Sequence, residues 1–264
     1  MKMMLAAVAA SALLAIPPDA DHVKEALAKS PRHGEWVDVA LPGGGKLVTW
    51  VVYPEKKEKA GIVIVIHEIF GLTDWVRGVA DELAKEGFIA LAPDLLSGMG
   101  PNGGGTDALG ADATKVIRNL TPEDAVRRLD AVREYGLKLA AANGKVGSVG
   151  FCWGGSTSFA YAVAQPKLDA AAVYYGSSPE DGNSYLKIHA PVMGFYGGDD
   201  ARVVATIPRA EEAMKKLGKR YTPSVYEGAG HGFLRQQTGR DGANARATAK
   251  AWAATVAFFR ESLK

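Results

Sequence analysis

The sequence predicts an α/β protein with a mostly parallel central sheet and helices on both faces. Apolar runs rich in β-branched residues recur along the chain, and such runs are typical of strands buried on both faces. Helical stretches of ordinary length separate these runs, and this alternation is typical of parallel sheets. No repeat, low-complexity linker or composition break interrupts the pattern, so we expect residues 21–264 to form a single domain.

The first half of this pattern begins with a hairpin and continues into two buried strands. Residues 35–54 predict two extended segments around a glycine turn, and "GIVIVIHE" (61–68) predicts a fully buried strand. A helix should follow over residues 73–86, with Gly87 as its C-terminal stop. "FIALAPDL" (88–95) predicts the next strand.

A glycine-rich loop over residues 97–110 follows, and its composition fits either a lid over a site or a flexible connection. A helix should then run over residues 121–142, because the Thr-Pro-Glu sequence at its start supplies an N-cap, a first-turn proline and a first-turn acid.

The second half continues the alternation to the end of the chain. Later segments predict, in order, a strand, a helix, two strands with a short connection, a helix, a strand and a final helix; they are 145–152, 154–164, 168–176, 190–200, 207–218, 222–226 and 243–263. The carboxyl ends of parallel strands meet at one edge of a sheet, so functional side chains are expected there.

Composition and charge narrow the function classes. The 264 residues include 31 Lys and Arg and 29 Asp and Glu, which give a net charge of +2. The sequence contains no run of like charge that would predict binding to nucleic acid. The apolar content of 47% is ordinary for a globular protein. We expect a small-molecule substrate and no nucleic-acid partner.

The N-terminal segment has the layout of a secretory signal peptide. Lys2 is followed by an uncharged apolar run over residues 3–16 and by two prolines, so residues 1–20 predict a leader cleaved after Ala15 or Ala20. The apolar run is shorter than the roughly 20 residues that a transmembrane helix needs, so no membrane span is expected in the mature chain. We expect a secreted or periplasmic protein. The alternative is a cytoplasmic protein whose N-terminal helix packs on the domain.

The single cysteine lies where a strand should turn into a helix. The pattern Gly150-x-Cys152-x-Gly154-Gly155 matches the nucleophile elbow G-x-S-x-G with sulfur in place of the hydroxyl oxygen. A helix N-terminus beside the sulfur favours the reactive thiolate. The alternative is a buried, inert thiol at a strand–helix junction. We predict that Cys152 is a catalytic nucleophile.

A base and an acid follow the cysteine in the chain order that this elbow requires. His231 comes directly after the last predicted strand, and Asp199 and Asp200 follow the strand before it. A carboxylate there would orient the imidazole and stabilise its charged form. The spacing alone does not select between the two aspartates.

Two other segments match known binding motifs only in part. His67-Glu68 begins like a zinc-binding H-E-x-x-H sequence, but Gly71 takes the place of the second histidine. Lys46 follows three glycines but lacks the Ser or Thr and the spacing of a phosphate-binding loop. We therefore expect no metal and no organic cofactor.

Five short segments together make the sequence resemble the dienelactone hydrolase family of α/β-hydrolases. The resemblance rests on five segments in family order, namely "HEIFG" (67–71), "PDLL" (93–96), "GFCWGG" (150–155), "GGDD" (197–200) and "GHGFLR" (230–235). It implies an α/β-hydrolase fold over nearly everything after the leader.

The resemblance also implies roles for individual residues. It selects Asp200 as the acid, and it assigns the oxyanion-binding N–H groups to Ile69 and Trp153. Glu68 matches a family glutamate that pairs with the thiol in the resting state and frees it toward the histidine when substrate arrives. Arg235 matches an arginine that binds this glutamate or a substrate carboxylate.

One segment departs from the family pattern. The archetype has tyrosine after P-D-L and an arginine nearby, whereas this chain continues Leu96-Ser97-Gly98. A small anionic lactone is thus no better expected than a larger or more neutral ester. We predict a cysteine-dependent hydrolase of carboxylic ester or lactone bonds that forms an acyl-enzyme on Cys152. The alternative is a thiol-based redox or ligand-binding protein on a hydrolase scaffold, without turnover.

Overall fold

The computed structural model describes residues 16–264, and they contain one eight-stranded sheet in the order β1-β2-β4-β3-β5-β6-β7-β8. The strands are β1 (Gly34–Ala40), β2 (Lys46–Val52), β3 (Ala60–Ile66), β4 (Ile89–Pro93), β5 (Ala142–Phe151), β6 (Ala170–Tyr174), β7 (Val192–Gly197) and β8 (Tyr221–Tyr226). The β1–β2 and β2–β4 pairs are antiparallel, and every other pair is parallel. The mostly parallel sheet is as predicted.

The helices connect these strands and cover the sheet. They are α1 (Val23–Lys29), α2 (Asp74–Lys85), α3 (Thr106–Leu109), α4 (Ala113–Val116), α5 (Pro122–Leu137), α6 (Trp153–Ala164), α7 (Ala201–Val204), α8 (Ile207–Lys216) and α9 (Ala243–Ser262). Short 3₁₀ turns lie at Pro101–Gly103, Gly110–Asp112, Ile117–Asn119, Gly182–Lys187 and Arg240–Gly242.

The core has two layers because both faces of the sheet are apolar. Every residue of β3 is buried. Its residues Ile62 and Ile64 pack in the layer with α5, α6 and α8, whereas Val63 and Val65 pack in the layer with α2 and α9. Alternate side chains of a strand point to opposite faces, so this continuous apolar run can fill both layers.

The structure shortens one predicted helix. The helix expected over residues 121–142 ends at Leu137, and β5 begins at Ala142, three residues before the predicted start. The Ala60 N–H donates to the Ala141 carbonyl oxygen (2.8 Å), and Ala60 pairs with Ala142 across the ladder. Pairing with β3 therefore overrides the local helical preference of these residues.

The glycine-rich loop over residues 97–110 is fastened at both ends. The Asp94 carboxylate accepts hydrogen bonds from the Thr106 N–H and hydroxyl (both 2.7 Å), and the Thr106 hydroxyl oxygen accepts one from the Leu72 N–H (2.9 Å). Arg128 donates to the Ser97 carbonyl oxygen (2.8 Å). The loop also contains α3 and a 3₁₀ turn, neither of which the sequence predicted.

Most of the predicted leader, residues 1–15, lies outside the described residues, but residues 16–20 belong to the domain surface. The Gln237 side chain donates to the Pro17 carbonyl oxygen (2.8 Å), and the Ala20 N–H donates to the Arg235 carbonyl oxygen (3.1 Å). Pro18 packs against Gly78 of α2. From residue 16 onward, the helices are all too short or too polar to cross a membrane.

These contacts lead to a prediction about the N-terminus. A chain that begins at residue 21 loses both hydrogen bonds and the Pro18 contact, so its melting temperature should lie roughly 4 °C or more below that of a chain beginning at residue 16. Calorimetry on the two purified forms measures the difference. Equal melting temperatures would show that residues 16–20 add nothing to stability.

Candidate active site

Cys152 occupies a strained turn between β5 and α6. Its φ is +56°, a region that non-glycine residues seldom adopt and that costs about 1–3 kcal/mol. The Cys152 N–H donates to the Tyr174 carbonyl oxygen on β6 (3.0 Å), and its own carbonyl oxygen accepts from the Ser156 N–H on α6 (3.1 Å). The strand on one side and the helix on the other thus hold this backbone in place.

The flanking glycines allow the turn to close. A Cβ atom on Gly150 would lie 1.8 Å from the Gly154 carbonyl oxygen, and one on Gly154 would lie 2.4 Å from the carbonyl oxygens of both Ile66 and His67. These distances are far below van der Waals contact, so a side chain at either position would push α6 away from the sheet.

His231 and Asp200 lie together at the carboxyl end of the sheet. Asp200 follows β7 and His231 follows β8, and the His231 Nδ1–H donates to Asp200 Oδ2 at 2.5 Å. Asp199, the other aspartate that the sequence left open, instead pairs with Arg240 on the surface (2.7 Å). Because Nδ1 is bonded to Asp200, the second ring nitrogen, Nε2, is left for Cys152.

The charge state of His231 depends on these neighbours. Hydrogen bonding to Cys152 and to Asp200 raises the pKa of His231 to about 9, against the opposing effect of partial burial. An imidazole with this pKa is mostly charged near neutral pH, and a charged imidazole favours a thiolate beside it.

Buried Glu68 and partly exposed Arg235 form an ion pair in the same region. Arg235 Nε lies 2.7 Å from Glu68 Oε2, and the Arg235 guanidinium also stacks over the Phe70 ring at 5.1 Å. Burial raises the pKa of Glu68, while the charges of Arg235 and His231 oppose this rise. The resemblance implied pairing of Glu68 with the thiol; among residues 16–264, Glu68 contacts Arg235 and makes no hydrogen bond to Cys152.

The two N–H groups implied as oxyanion donors border the same turn. Trp153 is the first residue of α6, so its N–H has no acceptor within the helix. Ile69 lies in the turn just after β3, and the close approach of Gly154 to Ile66 and His67 brings this turn against α6. Within the described part of the chain, neither N–H donates to another protein atom.

His67 has a structural role that the sequence analysis missed. Its Nδ1–H donates to the Glu68 carbonyl oxygen (2.7 Å), and its Nε2 accepts from the Leu95 N–H (3.1 Å). Burial lowers its pKa, so the ring is neutral, as accepting at Nε2 requires. The ring also stacks on Trp153 at 5.7 Å. His67 therefore connects the ends of β3 and β4 to the first residue of α6.

Tyr175 is a second residue that the sequence analysis missed. It is fully buried with a φ of +41°, and its ring lies 5.1 Å from that of His231. Its hydroxyl has no hydrogen-bond partner in the described structure, and burial raises its pKa well above the usual value. Its place directly after β6 was the signal available in the sequence.

A metal site is not evident in this region. Across the described residues, no group of three or more His, Cys, Asp or Glu side chains is arranged to hold a metal ion.

Comparison with known sequences finds proteins that are similar to this chain. The model described as "Dienelactone hydrolase family" matches residues 47–263. A Saccharolobus solfataricus protein named "Putative carboxymethylenebutenolidase" is 30% identical over 254 residues, which cover 84% of this chain and 96% of that protein. A Synechocystis protein of the same name is 31% identical over 216 residues, covering 77% of this chain and 87% of that protein.

Solved structures agree with this placement. P91, a dienelactone hydrolase-like promiscuous phosphotriesterase from metagenomic libraries, has a TM-score of 0.75 at 25% identity, over 88% of this chain and 99% of that one. Dienelactone hydrolase from Anabaena variabilis has a TM-score of 0.67 at 22% identity, over 88% and 99% of the two chains. The second likeness concerns the fold alone, and the predicted α/β-hydrolase fold is confirmed.

The geometry around His231 leads to a prediction about its titration. Replacing Asp200 with Asn removes a negative charge that favours the charged imidazole, so the pKa of His231 should fall from about 9 toward 6.5. NMR titration of the imidazole resonances measures both midpoints, with His231→Gln for assignment. Asp199→Asn is the matched control and should leave the midpoint unchanged. A wild-type midpoint at or below 6.5 would contradict the prediction.

Proposed function

Because the chain belongs to the dienelactone hydrolase family and is a hydrolase of carboxylic ester or lactone bonds, we propose that Cys152 is its nucleophile. The observation that carries this proposal is the strained φ of +56° at Cys152, next to an imidazole that Asp200 orients. A buried structural cysteine has no need of either feature. Strained backbone and an oriented base are common where a nucleophile must be presented to a substrate.

Acylation is the first half of the proposed reaction. The thiol proton resides on His231, and the Cys152 sulfur attacks the carbonyl carbon of the ester or lactone. The N–H groups of Ile69 and Trp153 bind the oxyanion of the tetrahedral intermediate. When the intermediate collapses, the C–O bond breaks, His231 gives its proton to the leaving alkoxide, and the acyl group stays on sulfur.

Deacylation uses the same imidazole with a different proton affinity. Hydrogen bonding to Cys152 is the largest cause of the raised pKa of His231, and a thioester sulfur no longer supplies it. The pKa of His231 should therefore fall in the acyl-enzyme, and the neutral ring can take a proton from the attacking water. Release of the acid returns the proton and the thiol to their starting positions.

Glu68 controls the thiol in this proposal. Glu68 lies in the same region as Cys152, because the charges of both act on Tyr175, whose pKa is raised mainly by burial. The negative charge of Glu68 repels a negative charge on the Cys152 sulfur. A substrate that moves the Glu68 carboxylate away from Cys152 therefore leaves the sulfur free to pair with the His231 imidazole.

The role of Cys152 is tested by its removal. Cys152→Ala should lower kcat/KM for p-nitrophenyl butyrate by at least about a thousandfold, because an alanine side chain has no atom that can hold the acyl group. Circular dichroism and the melting temperature check that the variant is folded. Cys152→Ser serves as the conservative comparison and should retain weak activity at most.

The alternative to turnover predicts a different pattern. A thiol-based redox or ligand-binding protein would show no cysteine-dependent hydrolysis of p-nitrophenyl esters or lactones, while its thiol would still react with iodoacetamide. Full activity in Cys152→Ala would overturn the nucleophile.

The role of Glu68 is tested by labelling of the thiol. Glu68→Gln removes the negative charge and leaves Arg235 without its counter-ion, so iodoacetamide should modify Cys152 at least about threefold faster at pH 7. The control is Glu82→Gln, because Glu82 is also buried and paired, here with Lys85 (3.0 Å) on α2. If labelling and kcat/KM are both unchanged in Glu68→Gln, the control by Glu68 is refuted and the triad stands.

A further inference from the structure

A groove of about 200 Å³ lies between the N-terminal halves of α5 and α6. Its lining is mainly apolar and comes from both helices and the turn before α5. The apolar lining residues are Leu120, Pro122, Ala125, Val126, Trp153 and Ala160. No ionisable side chain contributes to this lining. The groove therefore suits an uncharged, apolar group.

The polar side chains in the lining already make hydrogen bonds within the protein. The Thr121 hydroxyl oxygen accepts from the Asp124 N–H (3.1 Å), and the Thr157 hydroxyl donates to the Trp153 carbonyl oxygen (2.9 Å). The Ser156 hydroxyl oxygen accepts from a backbone N–H after β6 (2.8 Å). A carboxylate placed here would lose water and meet no cation, which is costly.

The groove meets the candidate active site at Trp153, the residue that follows Cys152. Residues 153, 156, 157 and 160 follow helical spacing, so they form one face of the first two turns of this helix. Trp153 belongs both to this face and to the proposed oxyanion site, and stacking on His67 fixes its indole. The residue whose N–H is proposed to bind the oxyanion therefore also lines the groove.

The segment that departs from the family pattern lies elsewhere. Leu95 and Leu96 are completely buried in the core layer with α5 and α6, so they present no surface to a substrate. Arg235, the cation implied for a substrate carboxylate, is paired with Glu68. The apolar groove is therefore the surface best suited to bind the part of the substrate that does not react.

We propose that the α5–α6 groove is the acyl-chain subsite of the enzyme and that its substrates are neutral esters with an apolar acyl group. This inference rests on the proposed cysteine-dependent hydrolysis. An apolar protein cavity of about 150 Å³ holds a benzene molecule, so a groove of about 200 Å³ accommodates a phenyl ring or a chain of several carbon atoms.

The test is a chain-length series of p-nitrophenyl esters from acetate to octanoate. Only the turnover that Cys152→Ala abolishes is counted. In the wild type, kcat/KM should rise by about two- to fourfold for each added methylene until the groove is full. p-Nitrophenyl hemisuccinate, which places a carboxylate where butyrate has a methyl group, should be at least about tenfold poorer than butyrate.

Variants that fill the groove give the decisive comparison. Ala160→Phe and Val126→Phe, one from each helix, should lower the octanoate-to-acetate ratio of kcat/KM by at least about tenfold. Ala164→Phe is the matched control, because Ala164 is exposed at the end of α6 and lies outside the groove, and its ratio should equal that of the wild type. Melting temperatures check that each variant is folded.

The outcomes separate the two proposals. Cysteine-dependent turnover with a flat chain-length profile, or a ratio that both filling variants leave unchanged, overturns the subsite and leaves the nucleophile in place. Hemisuccinate at or above the rate of butyrate also overturns the subsite. Turnover that persists in Cys152→Ala overturns the proposed function itself.

Discussion

The close approach of α6 to the end of the sheet is the constraint on which the site depends. Gly150 and Gly154 allow contacts that no side chain would permit, and they leave Cys152 at a positive φ. The same approach sets the Trp153 N–H beside the turn that carries Ile69. One packing requirement therefore presents the sulfur, exposes a helix N-terminus and assembles the proposed oxyanion site.

The pKa of His231 depends on the groups that the fold places around its ring. Asp200 fixes one ring nitrogen, and the cysteine on the other side raises the pKa to about 9. The charge of the ring is thus coupled to the state of the sulfur, and an acylated sulfur releases that coupling. The partly buried ion pair of Glu68 and Arg235 lies in the same region.

Buried hydrogen bonds at the neighbouring strand ends support these charged groups. His67 joins the ends of β3 and β4 and stacks on Trp153, while Asp94 and Thr106 fasten the loop that follows β4. These groups are buried and make the hydrogen bonds that their polar atoms require, so they can keep neighbouring backbone fixed. The α5–α6 groove borders this support at Trp153, which links the proposed subsite to the reacting bond.

The sequence by itself determined the α/β class, the strand order along the chain and the strand ends that carry Cys152, His231 and the two aspartates. These features depend on local patterns, namely apolar periodicity, glycine spacing and helix-start residues, and such patterns are visible in one dimension. Tertiary structure decided what depends on contacts between distant segments. It brought Asp200 rather than Asp199 to His231, paired Glu68 with Arg235, ended α5 at Leu137 and buried the hydroxyl of Tyr175. Each of these follows from packing between elements far apart in the chain, and no local preference encodes such packing.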